Sequence, residues 1–460
     1  MNSKRSRRAW LLCGCMLLFL LGAALPAQAV PSFARQTGMD CAACHTSFPE
    51  LTPFGRDFKL RGYTLGERQL VPLAAMMQFS MTHLSRQHDK SGASLMPRQN
   101  DTQFDVLSLF AAGKLNEHAG MFVQWTYSNN SETRPDDSIR HHSQLDNADF
   151  RVVGDHDLLG KELVFGLNLN NNPTVQDVWN STPAWGFPFN GTNLPHPEPG
   201  YATWIDGGLS QQEAGLGGYF WWDRHLYGEL SFYGTADGFF RVLSAGQPWE
   251  NHEVTRLDGR DNPYWRLAWN QDWGAHSLMV GTYGMRIDVF PDSANPHGPT
   301  DRFTDTALDA QYQYLSDPHI VTLRTTYIHE QQDYKASFDQ ACAGDAPCNS
   351  HNHLNTFKAQ ASYLYDRKYG VSLAYFSTTG SSDAGLYGGV TDAISGLPVS
   401  TRPDNRGYVA ELDYNPWTNV RFMLQYTGYT KWDGASHNID GMGRSPHDND
   451  TLFLGTWFAF

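Results

Sequence analysis

Two thiols and an imidazole stand within five residues of one another in Cys41-Ala42-Ala43-Cys44-His45. In an exported chain this C-x-x-C-H spacing reads as attachment of one c-type haem. The thiols lie a turn apart, placed for the two vinyl groups, and the adjoining His45 falls under the iron as proximal ligand. A structural zinc site would need two further ligands, which the neighbouring residues do not offer. A thioredoxin-like dithiol would sit in a βαβ pattern, which is absent. A second axial ligand is missing from Thr46 to Gln69, which holds neither Met nor His.

The motif reads this way in an exported chain, and the start of the chain supplies the route. Residues 1–29 read as a secretory signal: Lys4, Arg5, Arg7 and Arg8, an apolar run from Trp10 to Leu25, then Ala27-Gln28-Ala29 for cleavage before Val30. A lipoprotein alternative through Cys13 leaves too few apolar residues before the modified cysteine. Cys13 and Cys15 depart with the signal, so Cys342 and Cys348 remain and are expected to close a short surface loop as a disulfide. The full chain carries 34 Lys and Arg against 48 Asp and Glu, a net −14 that becomes about −18 without the signal. Such an acidic chain has no electrostatic footprint for nucleic acid.

What positions the motif must be a β architecture. From about residue 71 the chain settles into segments of roughly ten residues with period-two alternation. Phe357, Ala359, Ala361, Tyr363 and Tyr365 oppose Lys358, Gln360 and Ser362; Tyr408, Ala410, Leu412 and Tyr414 oppose Glu411 and Asp413. Strands are expected near 71–84, 103–115, 119–129, 145–154, 161–169, 211–222, 225–235, 262–271, 274–288, 304–315, 319–332, 353–365, 369–379, 405–414, 418–431 and 451–460. Short turns such as Asn116-Glu117-His118, Asp223-Arg224, Asp272-Trp273, Asp366-Arg367-Lys368 and Asn415-Pro416-Trp417 alternate with long loops. An even strand count with turns short on one side and long on the other is the pattern of an outer-membrane barrel of about 16 strands. Apolar faces then meet lipid, while Asp149, Arg151, Glu229, Arg266, Asp309, Arg324, Lys358, Glu411 and Asp413 point into the lumen.

The chain divides into a signal (1–29), a monohaem cytochrome c segment (30–70) and the barrel (71–460). Some forty residues are too few to bury a haem unaided. The segment is therefore expected to enter the periplasmic mouth as a lumenal plug, with barrel residues completing the pocket. If the barrel gives the distal ligand, strand parity offers Met76 and Met423, although methionines more often fill cores.

Val30 to Met39 (VPSFARQTGM), the C-A-A-C-H run, Phe48 to Arg56 (FPELTPFGR) and Phe58 to Tyr63 (FKLRGY) together resemble the outer-membrane fused monohaem cytochrome-porins of iron-oxidising bacteria and their homologues. Asn171 to Pro188 resembles part of that family's barrel. The resemblance implies electron transfer from an extracellular donor, ferrous iron in known members, through haem c to periplasmic carriers such as a soluble c-type cytochrome or a cupredoxin. It implies Cys41 and Cys44 as attachment sites and His45 as iron ligand. Fold does not fix the donor, so a conduit for another donor, a diffusion porin with an accessory haem segment, and a haem enzyme stay open. The acidic, His-bearing loops at Asp136-Asp137 with His141-His142 and at His437 to Asp450 read as ordinary solvated loops.

Overall fold

Alternation along the chain gives sixteen antiparallel strands, each hydrogen-bonded to its sequence neighbours, with β1 and β16 pairing to close the ring. They are β1 (Leu73–Leu84), β2 (Gln103–Asn116), β3 (Ala119–Thr133), β4 (Ile139–Leu158), β5 (Lys161–Asn170), β6 (Glu213–Trp222), β7 (Leu226–Thr235) and β8 (Asn262–Trp273). The second half comprises β9 (His276–Val289), β10 (Asp301–Ser316), β11 (His319–Asp333), β12 (His351–Tyr365), β13 (Tyr369–Gly380), β14 (Asn405–Trp417), β15 (Val420–Lys431) and β16 (Thr451–Ala459). The computed structural model describes residues 31–133, 139–173, 177–181, 191–209, 212–244, 255–341 and 348–460. The expected signal and Asp136-Asp137 lie outside them, as do parts of Asn171 to Pro188. Closure satisfies every strand edge, which a lipid-embedded sheet requires.

Two expected turns move. The reversal placed at Asp272-Trp273 falls at Gly274-Ala275, where Gly274 takes φ +53°. The one placed at Asn415-Pro416-Trp417 falls at Thr418-Asn419, and β14 continues through a register shift between Tyr414 and Trp417. Pro416 has no N–H for the ladder, so the irregularity is local and the strand survives it. β4 is also longer at both ends than the alternation indicated.

The outer face is apolar, with Leu308, Leu373 and Leu412 each more than half exposed. Trp273, Tyr365, Tyr369, Tyr414 and Trp417 ring it near the short turns. An apolar band edged by an aromatic girdle is an exterior made for the outer membrane.

Among the described residues, charged side chains and an inward-folded connection occupy part of the lumen. Asp149, Arg151, Glu229, Arg266, Asp309, Arg324 and Glu411 are buried inside, as their parity requires. Each is compensated where burial demands it: Arg151 with Asp149 at 2.9 Å, Arg266 with Asp309 at 2.6 Å, Arg421 with Glu411 and Asp413 at 2.7 Å each. Lys358 meets Asp206 at 2.6 Å. Between β5 and β6 the chain folds inward, seating Trp179 against Trp221 and Tyr227 and packing it into the cluster that holds Leu60. Further along the same connection, the Trp204 and Ile205 N–H groups donate to the Glu330 and Asp305 carboxylates. Cys348 is disulfide-bonded, while Cys342, its expected partner, lies outside the described residues.

Candidate functional site

The C-x-x-C-H run makes a single helical turn, α2 (Cys41–Cys44), after a short helix α1 (Ser32–Thr37) and before α3 (Pro53–Leu60). Both thiols are free and half-buried. His45 leaves the turn in extended conformation and bridges Leu51. Its Nδ1 lies 3.2 Å from the Glu50 carbonyl oxygen. A carbonyl only accepts, so Nδ1 carries the proton and the lone pair stays on Nε2.

Helix α3 is the platform. Thr52 caps it, accepting from the Gly55 N–H at 3.1 Å, with Pro53 at the first position. The same hydroxyl donates to the Ala43 carbonyl at 2.6 Å, and the Thr52 N–H donates to the Cys44 carbonyl at 2.9 Å. Gly55 allows the close approach, because a Cβ there would stand 2.2 Å from the Cys44 carbonyl oxygen.

The barrel holds this unit at the short-turn end from many sides. Arg56 donates to Gln311 and Gln313 of β10 and Ser277 of β9 at 3.1, 2.7 and 2.6 Å. Tyr63 donates to Asp149 of β4 at 2.6 Å, and Tyr219 of β6 to the Leu60 carbonyl at 2.7 Å. Gln36 ties α1 to β2 through the Lys114 N–H at 2.8 Å, and Phe33, Phe58 and Tyr63 pack as an aromatic cluster. Arg324 pairs with Glu50, Arg421 donates to the Phe48 carbonyl, and Arg367 reaches the Ala42 carbonyl.

Beside His45 lies a cleft of about 530 Å³ of non-protein space, open to solvent, bounded by Cys41, His45 and Phe48 on one side and Arg367, Arg421 and Trp457 on the other. The Phe48 ring sits 4.5 Å from the imidazole and 5.6 Å from Trp457. A second cleft of about 450 Å³ adjoins it, walled by Glu50, Gln360, Glu411, Asp413 and Arg421.

Burial shapes the chemistry of the donors. It pushes the His45 imidazole down to about 4, against the opposing pull of the Glu50 and Pro49 carbonyls, which leaves a neutral imidazole. It pushes Cys44 up to about 11, helped by the neighbouring Cys41, and raises Cys41 as well. Among the described residues no group of three His, Cys, Asp or Glu converges to hold a metal ion. The motif thus brings two half-buried thiols and one neutral imidazole to a single turn, with Cys41 and His45 lining the cleft.

Met76 and Met423 both face the lumen, at 6% and 2% exposure, but neither borders the cleft that Cys41 and His45 line. Sequence reasoning did not single out Gly55, Glu50, Arg367 or Arg421. The Thr52-Pro53 helix start was readable as a cap, and the glycine two residues on was the available hint.

No protein-family model matches the chain, and no curated protein matches its sequence. Among solved structures the chain is similar to OmpT, an outer-membrane protein of Vibrio cholerae, at 10% identity and TM-score 0.38 over 84% of this chain and 96% of that one. It is similar to Salmonella typhi OmpF, described in complex with daunomycin, at 12% and 0.44 over 84% and 97%. A third is an anion-selective porin from Comamonas acidovorans, at 12% and 0.40 over 84% and 98%.

Proposed function

We propose that the chain is an outer-membrane electron-transfer protein whose redox centre is one c-type haem held at the short-turn mouth. The observation that carries this is the cleft shared by the C-x-x-C-H turn and the barrel wall. Cys41 and Cys44 would hold the group by thioether bonds, His45 would ligate its iron through Nε2, and when bound it supplies a one-electron centre. Glu50 fixes the imidazole through its carbonyl. Phe48 and Trp457 would exclude water from one side of the cleft. The short-turn mouth faces the periplasm in barrels of this class, so a soluble carrier there would find the site within reach. The extracellular donor, with ferrous iron the first to test, would approach through the lumen beside the plug.

A second reading is favoured by the strand number, since sixteen-stranded barrels as a class enclose an aqueous channel. On that reading the lumen passes small solutes and the N-terminal segment limits the flow. Purified protein in liposomes separates the two. Haem staining together with reduction of the protein by external ferrous iron, without leakage of an encapsulated sugar, is the expected result. Sugar leakage with no ferrous reduction would overturn the electron-transfer reading.

A further inference from the structure

We infer that Arg324 in the barrel wall and Glu50 in the lumenal segment form a charge-balanced pair that positions His45 and keeps either charge alone from shifting the reduction potential of the centre. This rests on the haem reading above. Glu50 touches the ligand and the wall at once. Its backbone carbonyl accepts from His45 Nδ1 at 3.2 Å, and also from the Thr46 N–H at 3.2 Å. Its carboxylate accepts from Arg324 Nη2 at 3.0 Å and from the Thr46 hydroxyl at 3.0 Å. The two charged side chains are 8% and 6% exposed.

The turn that carries the carbonyl is pinned on both flanks. Arg421 donates to the Phe48 carbonyl at 3.2 Å, while Gln313 and Arg56 donate to the Leu51 carbonyl at 3.1 and 3.2 Å. Arg324 lies on β11, 274 positions from Glu50, so only barrel closure brings the two together. The imidazole's orientation thus depends on a side chain of the wall.

A buried charge beside a redox centre acts in a low dielectric, where its field is weakly screened. A carboxylate stabilises the oxidised, more positive state and a guanidinium the reduced one; as a close pair they largely cancel. Removing either partner exposes the field of the other. Arg324→Gln leaves the Glu50 carboxylate without its guanidinium, so the midpoint potential falls. Glu50→Gln leaves the guanidinium without its carboxylate, so the midpoint rises. The double variant returns toward the parent.

Opposite signs distinguish this from a scaffold role, in which loosening the turn admits water and moves both variants the same way. The test is a spectroelectrochemical titration of the full-length, haem-loaded chain in detergent, comparing the parent with R324Q, E50Q and R324Q/E50Q. The two single variants are expected to move apart, each by about tenfold in the reduced-to-oxidised ratio at fixed poise, or about 59 mV for one electron. Shifts of the same sign, or none, overturn the inference while leaving the haem reading in place. A parent chain without haem overturns the haem reading and this inference with it. Should R324Q fail to assemble, E50Q alone decides, since a fall or no change in its midpoint contradicts the sign.

Discussion

Replacing Gly55 by alanine tests whether α3 stands on the C-x-x-C-H turn. The added Cβ would lie 2.2 Å from the Cys44 carbonyl oxygen and 3.0 Å from that residue's carbonyl carbon and Cα. All three are backbone atoms, so no side chain can swing aside. Reaching even the tightest tolerated contact demands a movement of about 0.8 Å between helix and turn. Helix propensity pulls the other way, favouring alanine by about 0.5–1 kcal/mol. Overpacking of a close contact costs about 1–3 kcal/mol, and the shift also strains the Thr52 cap, worth about 1 kcal/mol. The clash wins by about 1–3 kcal/mol, a rise in the undocked segment of roughly 5- to 150-fold at about 1.4 kcal/mol per decade. The clash falls on the lumenal unit itself, because all three nearest atoms belong to Cys44. Hydrogen exchange over residues 41–60 should accelerate and haem content fall, while heat-modifiable gel migration of the barrel stays unchanged. Gly389→Ala, whose Cβ meets nothing within 4 Å, is the control. Parental exchange protection in G55A would refute the packing argument.

Trp179→Ala removes a buried indole from the centre of the lumen, at a cost of about 3–5 kcal/mol for that loop, and single-channel conductance in planar bilayers should rise; an unchanged conductance would show that Trp179 does not block the passage. Met76→Leu and Met423→Leu should each keep the parent's absorption spectrum, since neither residue borders the cleft; a low-spin to high-spin change in either variant would place the distal ligand there. In the haem-free C41A/C44A chain the barrel should assemble normally. There His45, lowered from 6.5 to about 4 by burial, binds its proton first in the undocked state. Docking is thus at full strength above pH 6.5 and weakens as pH falls from 6.5 through 4. Hydrogen exchange of residues 45–51 across that range reads it out, and protection that grows on acidification would contradict the sign.

Parity carried the barrel because a strand has only two faces and lipid accepts only one kind. Strand β12 shows it: Phe357 and Tyr365 are exposed while Leu364 and Thr356 are buried. The same rule put Arg324 and Glu411 inside, yet it could not name what they meet there. Facing is a local property; the pairing of Arg324 with Glu50 spans most of the barrel and exists only after closure. The inward fold before β6 escaped notice for a related reason. A tryptophan in a loop with no periodicity carries no sign of whether water or Leu60 lies beyond it. Turn positions slipped where composition suggested a break and the backbone found another: Gly274 took the reversal that Asp272 seemed to mark. At the motif, residue types set an expectation of haem attachment, but the role of Gly55 is legible only once Cys44 is seen above it.

Because β1 pairs with β16, the wall around residues 31–70 is drawn from both ends of the chain, with contacts from β2 and β4 as well as β11 and β15. The seat for that segment is complete only once the last strand is in place. Closure does not hide what it holds: Cys41 and His45 still border a cleft that opens to solvent, so the segment is fixed by the wall on its inner side and stays approachable at the mouth.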